Sequence, residues 1–282
     1  MTTVPPRMRW VPNGEVRLAV AEYGDPAALP IVALHGFPEC SRTWEPVVDP
    51  LVAAGRRLVA PDLRGYGDSD APRWVRAYRM ERLLDDIEAV IADVGGGPIE
   101  LLAHDWGAGL AWLLVERRPH LVSRAIISNA PHPGLLRRAI FRDADQRKRS
   151  SYVVKMQIPV LPERRLLRDR GAYLARLFPP EYYAKETIEE YRNHWARPGV
   201  MRGMLNWYRA AARDRSLRPP SAKITVPIAI VWGRDDPIFA PALVEQSAAL
   251  CTNVSVALEA CGHSPHRELP ERVIAAVLGR QA

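Results

Sequence analysis

Short β-branched or apolar runs separated by longer segments recur along most of this chain, and that rhythm limits the fold more than any other feature. The runs are Val16–Tyr23, Ile31–Leu34, Arg57–Ala60, Ile99–Leu102, Arg124–Ser128, Ile228–Trp232 and Val254–Leu258. A strand with one wet face alternates polar and apolar residues, whereas a strand covered on both faces reads as an unbroken apolar run. The pattern therefore predicts an α/β protein with a mostly parallel central sheet and helices on both faces. The rhythm stops between about Pro133 and Pro220. Arginines, aromatics and the prolines 159, 162, 179, 180 and 198 fill that stretch, and strand-like runs resume at Val226. A helical insertion before the last strands is expected to lie over the C-terminal sheet edge, where open α/β sheets hold ligands. The expected division is a core of residues 1–132 and 221–282 with a helical cap of residues 133–220.

Composition removes several function classes. The chain has 282 residues, 48% hydrophobic and 25% charged, which is ordinary for a globular protein. No apolar run approaches the roughly 18 residues of a transmembrane helix. Met1–Trp10 has no apolar h-region, so no secretory signal is expected. The formal charge of +7 raises nucleic acid as a partner. Basic clusters such as Arg137–Arg149 and Arg164–Arg170 are interleaved with acids and lack zinc-ligand spacing, so a solvated basic face is expected instead. Cys40, Cys251 and Cys261 form neither a CxxC pair nor a disulfide framework, which points to a reduced, cytoplasmic setting. Cys261 is expected to be a small buried hydrophobe.

The chemistry concentrates where strands end. Ala103-His104-Asp105-Trp106-Gly107 follows one apolar run and opens a helix expected from Ala108 to about Arg117. A sharp strand-to-helix turn needs small residues on either side of its apex, and Ala103 and Gly107 provide them. This is the layout of a nucleophile elbow with aspartate at the apex. An aspartate capping a helix is the bland alternative. Three further motifs in chain order weigh against it: His35-Gly36-Phe37-Pro38, Trp232-Gly233-Arg234-Asp235-Asp236-Pro237 and Gly262-His263. In the α/β-hydrolase fold these loops supply an oxyanion-hole N–H, the triad acid and the triad base. The acid loop holds adjacent candidates in Asp235 and Asp236.

With these motifs, the chain resembles the epoxide hydrolases of the α/β-hydrolase superfamily, with haloalkane dehalogenases as relatives. Pro61–Asp70 (PDLRGYGDSD) and Asn129–Pro133 (NAPHP) extend the likeness, which runs from about Val16 to Ala275. The resemblance implies Asp105 as nucleophile, His263 as base and Asp236, three residues after Gly233, as acid. It implies backbone N–H groups of Phe37 and Trp106 as the oxyanion hole. It also implies two cap tyrosines that hold the epoxide oxygen: Tyr208, within Asn206-Trp207-Tyr208-Arg209, and Tyr152, five residues before Gln157 of Gln157-Ile158-Pro159. His35, Pro38 and Trp207 are expected beside the substrate. Tyr173, Tyr182, Tyr183 and Tyr191 lack matching context and are expected to be structural.

The same aspartate could serve a haloalkane or haloacid dehalogenase. Haloalkane dehalogenases often carry Asn after the glycine where this chain has Phe37. Fluoroacetate dehalogenases carry Arg after the nucleophile where this chain has Trp106. A non-catalytic receptor on the same scaffold would have less need of a complete triad. The favoured chemistry needs an epoxide and water, and no metal or organic cofactor. Aspartate suits it because attack by a carboxylate leaves an ester that water can cleave, whereas a serine would leave an inert ether. The natural epoxide and the oligomeric state, a homodimer included, are not legible.

Overall fold

The computed structural model describes residues 2–279. Eight strands form one sheet: β1 Arg7–Asn13, β2 Val16–Tyr23, β3 Pro30–Leu34, β4 Arg57–Pro61, β5 Ile99–His104, β6 Val122–Ser128, β7 Ile228–Gly233 and β8 Val254–Glu259. Their order is β1-β2-β4-β3-β5-β6-β7-β8. β1 and β2 pair antiparallel, β2 pairs antiparallel with β4, and every remaining pair is parallel. The mostly parallel α/β architecture expected from the apolar runs is present.

Alternation along the central strands divides the core in two. Val32, Leu34, Leu101, Ala103, Ala125 and Ile127 pack on one face with the helices Met80–Asp93 and Asp105–Arg117. Ile31, Ala33, Leu102 and Ile126 pack on the other with Glu45–Ala53 and Pro270–Val277. Both faces are dry, which is why these strands read as unbroken apolar runs. Cys40, Cys251 and Cys261 are buried and free. Among the described residues, no helix is long and apolar enough to cross a membrane.

Two expectations need correction. β1 was not anticipated, because Pro12 lies inside it and Met8 and Trp10 face solvent. It is an edge strand paired only with β2, the place where a sheet tolerates proline. The helix after β5 begins at Asp105 itself rather than at Ala108. Helical pairing thus starts directly at the apex of the turn.

Between β6 and β7 the described chain forms only helices, from Pro133–Arg142 to Val200–Arg213. The long helix Val200–Arg213 buries Met201, Met204, Leu205, Trp207 and Tyr208 on its apolar side. The short helix Tyr152–Met156 buries no residue fully.

Candidate active site

The turn at Asp105 is forced tight by its neighbours. Asp105 has φ +49°, a left-handed conformation uncommon for a non-glycine residue. A Cβ at Gly107 would lie 2.3 Å from the Leu34 carbonyl oxygen, and one at Gly36 would lie 2.4 Å from Asp105 Cβ. The glycines let the loop after β3 close against the elbow, so that the Phe37 N–H donates to Asp105 Oδ1 at 2.8 Å. The Trp106 N–H lies in the first turn of the helix, where backbone N–H groups have no intrahelical acceptor. Of the two expected backbone donors, the Phe37 N–H reaches the carboxylate, and the Trp106 N–H belongs to the open first turn of the helix.

His263 and Asp236 complete a chain of three groups from three loops. His263 Nε2 lies 3.6 Å from Asp105 Oδ2, and His263 Nδ1 lies 2.9 Å from Asp236 Oδ2. Asp236 is buried, while Asp235 is exposed and donates only its backbone N–H, to the Cys261 carbonyl. The geometry thus brings Asp236, not Asp235, to the imidazole. Burial works against charge on His263, but the charge of Asp236 and the bonds to Asp105 and Asp236 carry its pKa well above the usual imidazole value. Burial likewise opposes charge on Asp105, yet His263, His104 and the Phe37 N–H keep it a carboxylate below the usual range. Cys261 is buried, and burial pushes its thiol up to about 12, so it is no nucleophile at neutral pH.

Tyr152 and Tyr208 face Asp105 across a cavity of about 370 Å³ lined by Asp105, Trp106, Tyr152, Tyr208 and otherwise mainly apolar side chains. The two phenol rings are 6.1 Å apart. Tyr208 stands edge-on to Phe37 at 5.4 Å and to Trp106 at 4.9 Å, which fixes its ring. Burial raises both phenol pKa values, and the Asp105 charge raises them further. Both side chains are therefore hydroxyl donors at neutral pH.

His35, Pro38 and Trp207, expected beside the substrate, do not line this cavity. All three are buried in the supporting wall. His35 Nε2 accepts from the Leu63 N–H at 3.0 Å, tying two loops together. The Pro38 carbonyl accepts from Trp195 Nε1 at 2.7 Å, and Trp207 Nε1 donates to the Arg64 carbonyl at 2.8 Å.

The structure adds groups that motif matching did not single out. Asn129 donates to Asp236 Oδ2 at 2.6 Å and accepts from the Gly233 N–H at 2.9 Å. A polar residue directly after a buried strand was the available signal. Beneath His263, His104 Nε2 donates to the His263 carbonyl at 2.9 Å, with its Nδ1 3.3 Å from Glu39 Oε2. Thr43 and Tyr183 donate to Glu39 Oε1 at 2.6 and 3.0 Å.

Residues 30–268 match the model of the α/β hydrolase fold family. The chain belongs to that family. It is 34% identical over 251 residues to AB hydrolase superfamily protein YfhM of Bacillus subtilis, covering 88% of this chain and 87% of the relative. It is 32% identical to epoxide hydrolase 3 of Mus musculus, covering 86% of this chain and 66% of the mouse protein. The crystal structure of Bacillus megaterium epoxide hydrolase in complex with an inhibitor superposes with a TM-score of 0.87 at 29% identity, covering 96% of this chain and 99% of that one. The fold expected from the strand rhythm and the elbow is that of this family.

Proposed function

We propose that this chain is an epoxide hydrolase that converts an epoxide to a vicinal diol through an ester on Asp105, beneath a cap formed by residues 133–220. One observation carries the reading: two protonated phenols, Tyr152 and Tyr208, share the apolar cavity with a carboxylate that has a histidine behind it. A dehalogenase expels a halide that needs no proton. An epoxide expels an alkoxide that does.

In the first step, an Asp105 oxygen attacks a ring carbon and the C–O bond of the epoxide breaks. The electron pair stays on the ring oxygen, which accepts hydrogen bonds from both phenols and a proton from one. A low-dielectric cavity strengthens those bonds. Esterification removes the negative charge from Asp105. His263 thereby loses one of the partners that raised its pKa, so more of it is in the neutral form that can take a proton as the ester forms. In the second step, neutral His263 takes a proton from water and hydroxide adds to the ester carbonyl. The Phe37 and Trp106 N–H groups hold the oxyanion, and Asp236 stabilises the imidazolium. The tetrahedral intermediate collapses by breaking its bond to the diol oxygen, which takes the proton of the new Asp105 carboxyl. His263 passes the proton it took from water to the tyrosinate, so the neutral diol leaves and the free enzyme is restored.

Single turnover in heavy-oxygen water with excess enzyme tests the reading. Direct attack predicts unlabelled diol from the first turnover, with the label entering the Asp105 carboxylate. Fully labelled first-turnover diol would mean that Asp105 only activates water. Halide release from haloalkanes, with no diol from aliphatic, styrene-type or fatty-acid epoxides, would reassign the site to dehalogenation.

A further inference from the structure

Charge is divided unevenly between the two parts of the chain. Residues 133–220 hold 20 of the 39 Lys and Arg residues but only 9 of the 32 Asp and Glu residues, so this segment carries +11 and the remainder −4. Within it, Arg149, Arg170, Arg192, Arg197 and Arg209 pair with carboxylates. Arg138, Arg142, Lys155, Arg164 and Arg165 have no acidic partner among the described residues.

Large apolar side chains stand exposed among these cations. Phe141 is 70% exposed, Val154 71% and Leu161 62%, and Ile158, in the bend after the Val154 helix, is 47% exposed. Phe141 and Val154 also line the cavity that holds Asp105, so the exposed apolar surface is continuous with the mouth of the site. Arg138 and Arg142 share a helix with Phe141, Lys155 adjoins Val154, and Arg164 and Arg165 follow Leu161 in the first turn of the next helix.

We propose that this face of the cap docks on the surface of an anionic lipid bilayer, with its apolar residues dipping into the headgroup region and the cavity mouth facing the membrane. Unpaired cations beside exposed apolar residues form an interfacial surface, one that lies on a membrane rather than spanning it. Each cation near a negatively charged leaflet adds to the attraction, and arginine stems can lie along the apolar boundary while their heads reach phosphates. A second copy of the chain fits less well, because pairing would press together two faces that carry the same excess positive charge. A nucleic acid would satisfy the cations but leave Phe141, Val154 and Leu161 without apolar partners. The orientation also has a use, which rests on the epoxide reading above. Lipophilic epoxides partition into bilayers and could reach Asp105 without crossing water.

Vesicle flotation of the full chain tests the docking face without requiring turnover. The chain should float with vesicles of phosphatidylcholine mixed with phosphatidylglycerol, remain behind with phosphatidylcholine alone, and be released by high salt. Arg138→Glu, Arg142→Glu, Arg164→Glu and Arg165→Glu combined should weaken flotation by about a hundredfold or more. That variant should keep its circular dichroism spectrum and its rate on a short, water-soluble epoxide. The apolar pair Ile158→Ser and Leu161→Ser should also lower flotation. Absence of flotation with either vesicle, or flotation indifferent to the charge reversals, overturns the proposal. So does a dimer seen by light scattering that the Ile158→Ser and Leu161→Ser pair dissolves while the wild type ignores vesicles. If no epoxide is turned over, the functional reading fails while the flotation result stands.

Discussion

The strand-borne half of the active site and its helical half are built to different tolerances. Asp105, Asp236 and His263 leave the C-terminal ends of β5, β7 and β8, each held by several neighbours. Asp236 alone accepts from Asn129, His263 and the Ile238 and Phe239 N–H groups. The elbow has no free volume, because Gly36 and Gly107 leave no room even for a methyl group. Opposite them, Tyr208 rides a long, well-buried helix, whereas Tyr152 sits on a five-residue helix with no fully buried residue. In the proposed chemistry Asp105 must line up with a substrate carbon and His263 with a water, so their positions are over-determined. A proton donor can approach a developing alkoxide from a wider range of angles, and its scaffold can be looser.

The sharpest test of this contrast is the base. His263→Gln should still allow Asp105 to be alkylated but should stall ester hydrolysis, so intact-mass spectrometry should show a covalent adduct building up. Normal steady-state turnover would remove His263 from the mechanism.

Next come the paired acids. Asp236→Asn should lower turnover by on the order of 10⁴-fold, because an amide cannot stabilise the imidazolium. Asp235→Asn, on the exposed side of the same loop, should leave turnover nearly unchanged. A larger loss at Asp235 would contradict the geometry.

On the helical half, Tyr208→Phe and Tyr152→Phe should each slow alkylation by roughly a hundredfold. Rapid-quench measurement of adduct formation separates this from ester hydrolysis, which neither change should slow much. If either tyrosine proves dispensable for alkylation, the loosely held Tyr152 is the expected one.

The pH dependence follows from the same charges. In the free enzyme, Asp236 and Asp105 hold His263 well above its ordinary value, and Asp105 is ionised. After alkylation only Asp236 remains to raise it. Ester hydrolysis should therefore fall as pH drops through the lower His263 pKa of the ester, while alkylation continues, because Asp105 titrates below the usual carboxylate range. Pre-steady-state runs at descending pH should show the adduct fraction rising. A constant adduct fraction would uncouple His263 from the second step.

The smallest effect belongs to the cap backbone. Val160 has φ +70°, unfavourable for a β-branched residue. Val160→Gly should raise stability by up to about 1 kcal/mol, less the entropy that glycine adds to the unfolded chain. Thermal melts would detect a fall instead, which would mean that the valine side chain contributes more than its backbone strain costs.

The elbow was legible because its requirements are local: an apolar run, an apex residue, and small residues within two positions on either side. The meeting of Asp105, Asp236 and His263 was legible for a related reason, since each sits just after a strand that the apolar pattern marks. Depth was not legible. His35, Pro38 and Trp207 stand next to residues at the elbow, in its flanking loop or in the cap, yet their side chains or carbonyls turn into the wall and brace it. Adjacency along a loop does not say which residue faces the cavity. Asn129 escaped for the complementary reason. Its two partners lie more than 100 positions away, at 107 for Asp236 and 104 for Gly233, so no local pattern announces them. β1 was hidden by Pro12, whose cost depends on whether a strand lies at the edge or in the middle of a sheet.

Asn129 also changes how the cap looks as a polymer. One side chain bonds both the Gly233 N–H and the Asp236 carboxylate, so it ties the C-terminal end of β6 to that of β7, with the helical segment and β7 itself enclosed between them. The helices in between form, topologically, a large closed loop with a stitched neck. The entropy of closing such a loop grows only with the logarithm of its length, so doubling it costs about 0.6 kcal/mol. The stitch belongs to the core and takes nothing from the cap's own packing. Caps of other lengths and shapes could therefore be exchanged above the same neck while the acid keeps its register with His263. On this view, the substrate range of such a chain can drift through insertions and deletions that leave its chemistry in place.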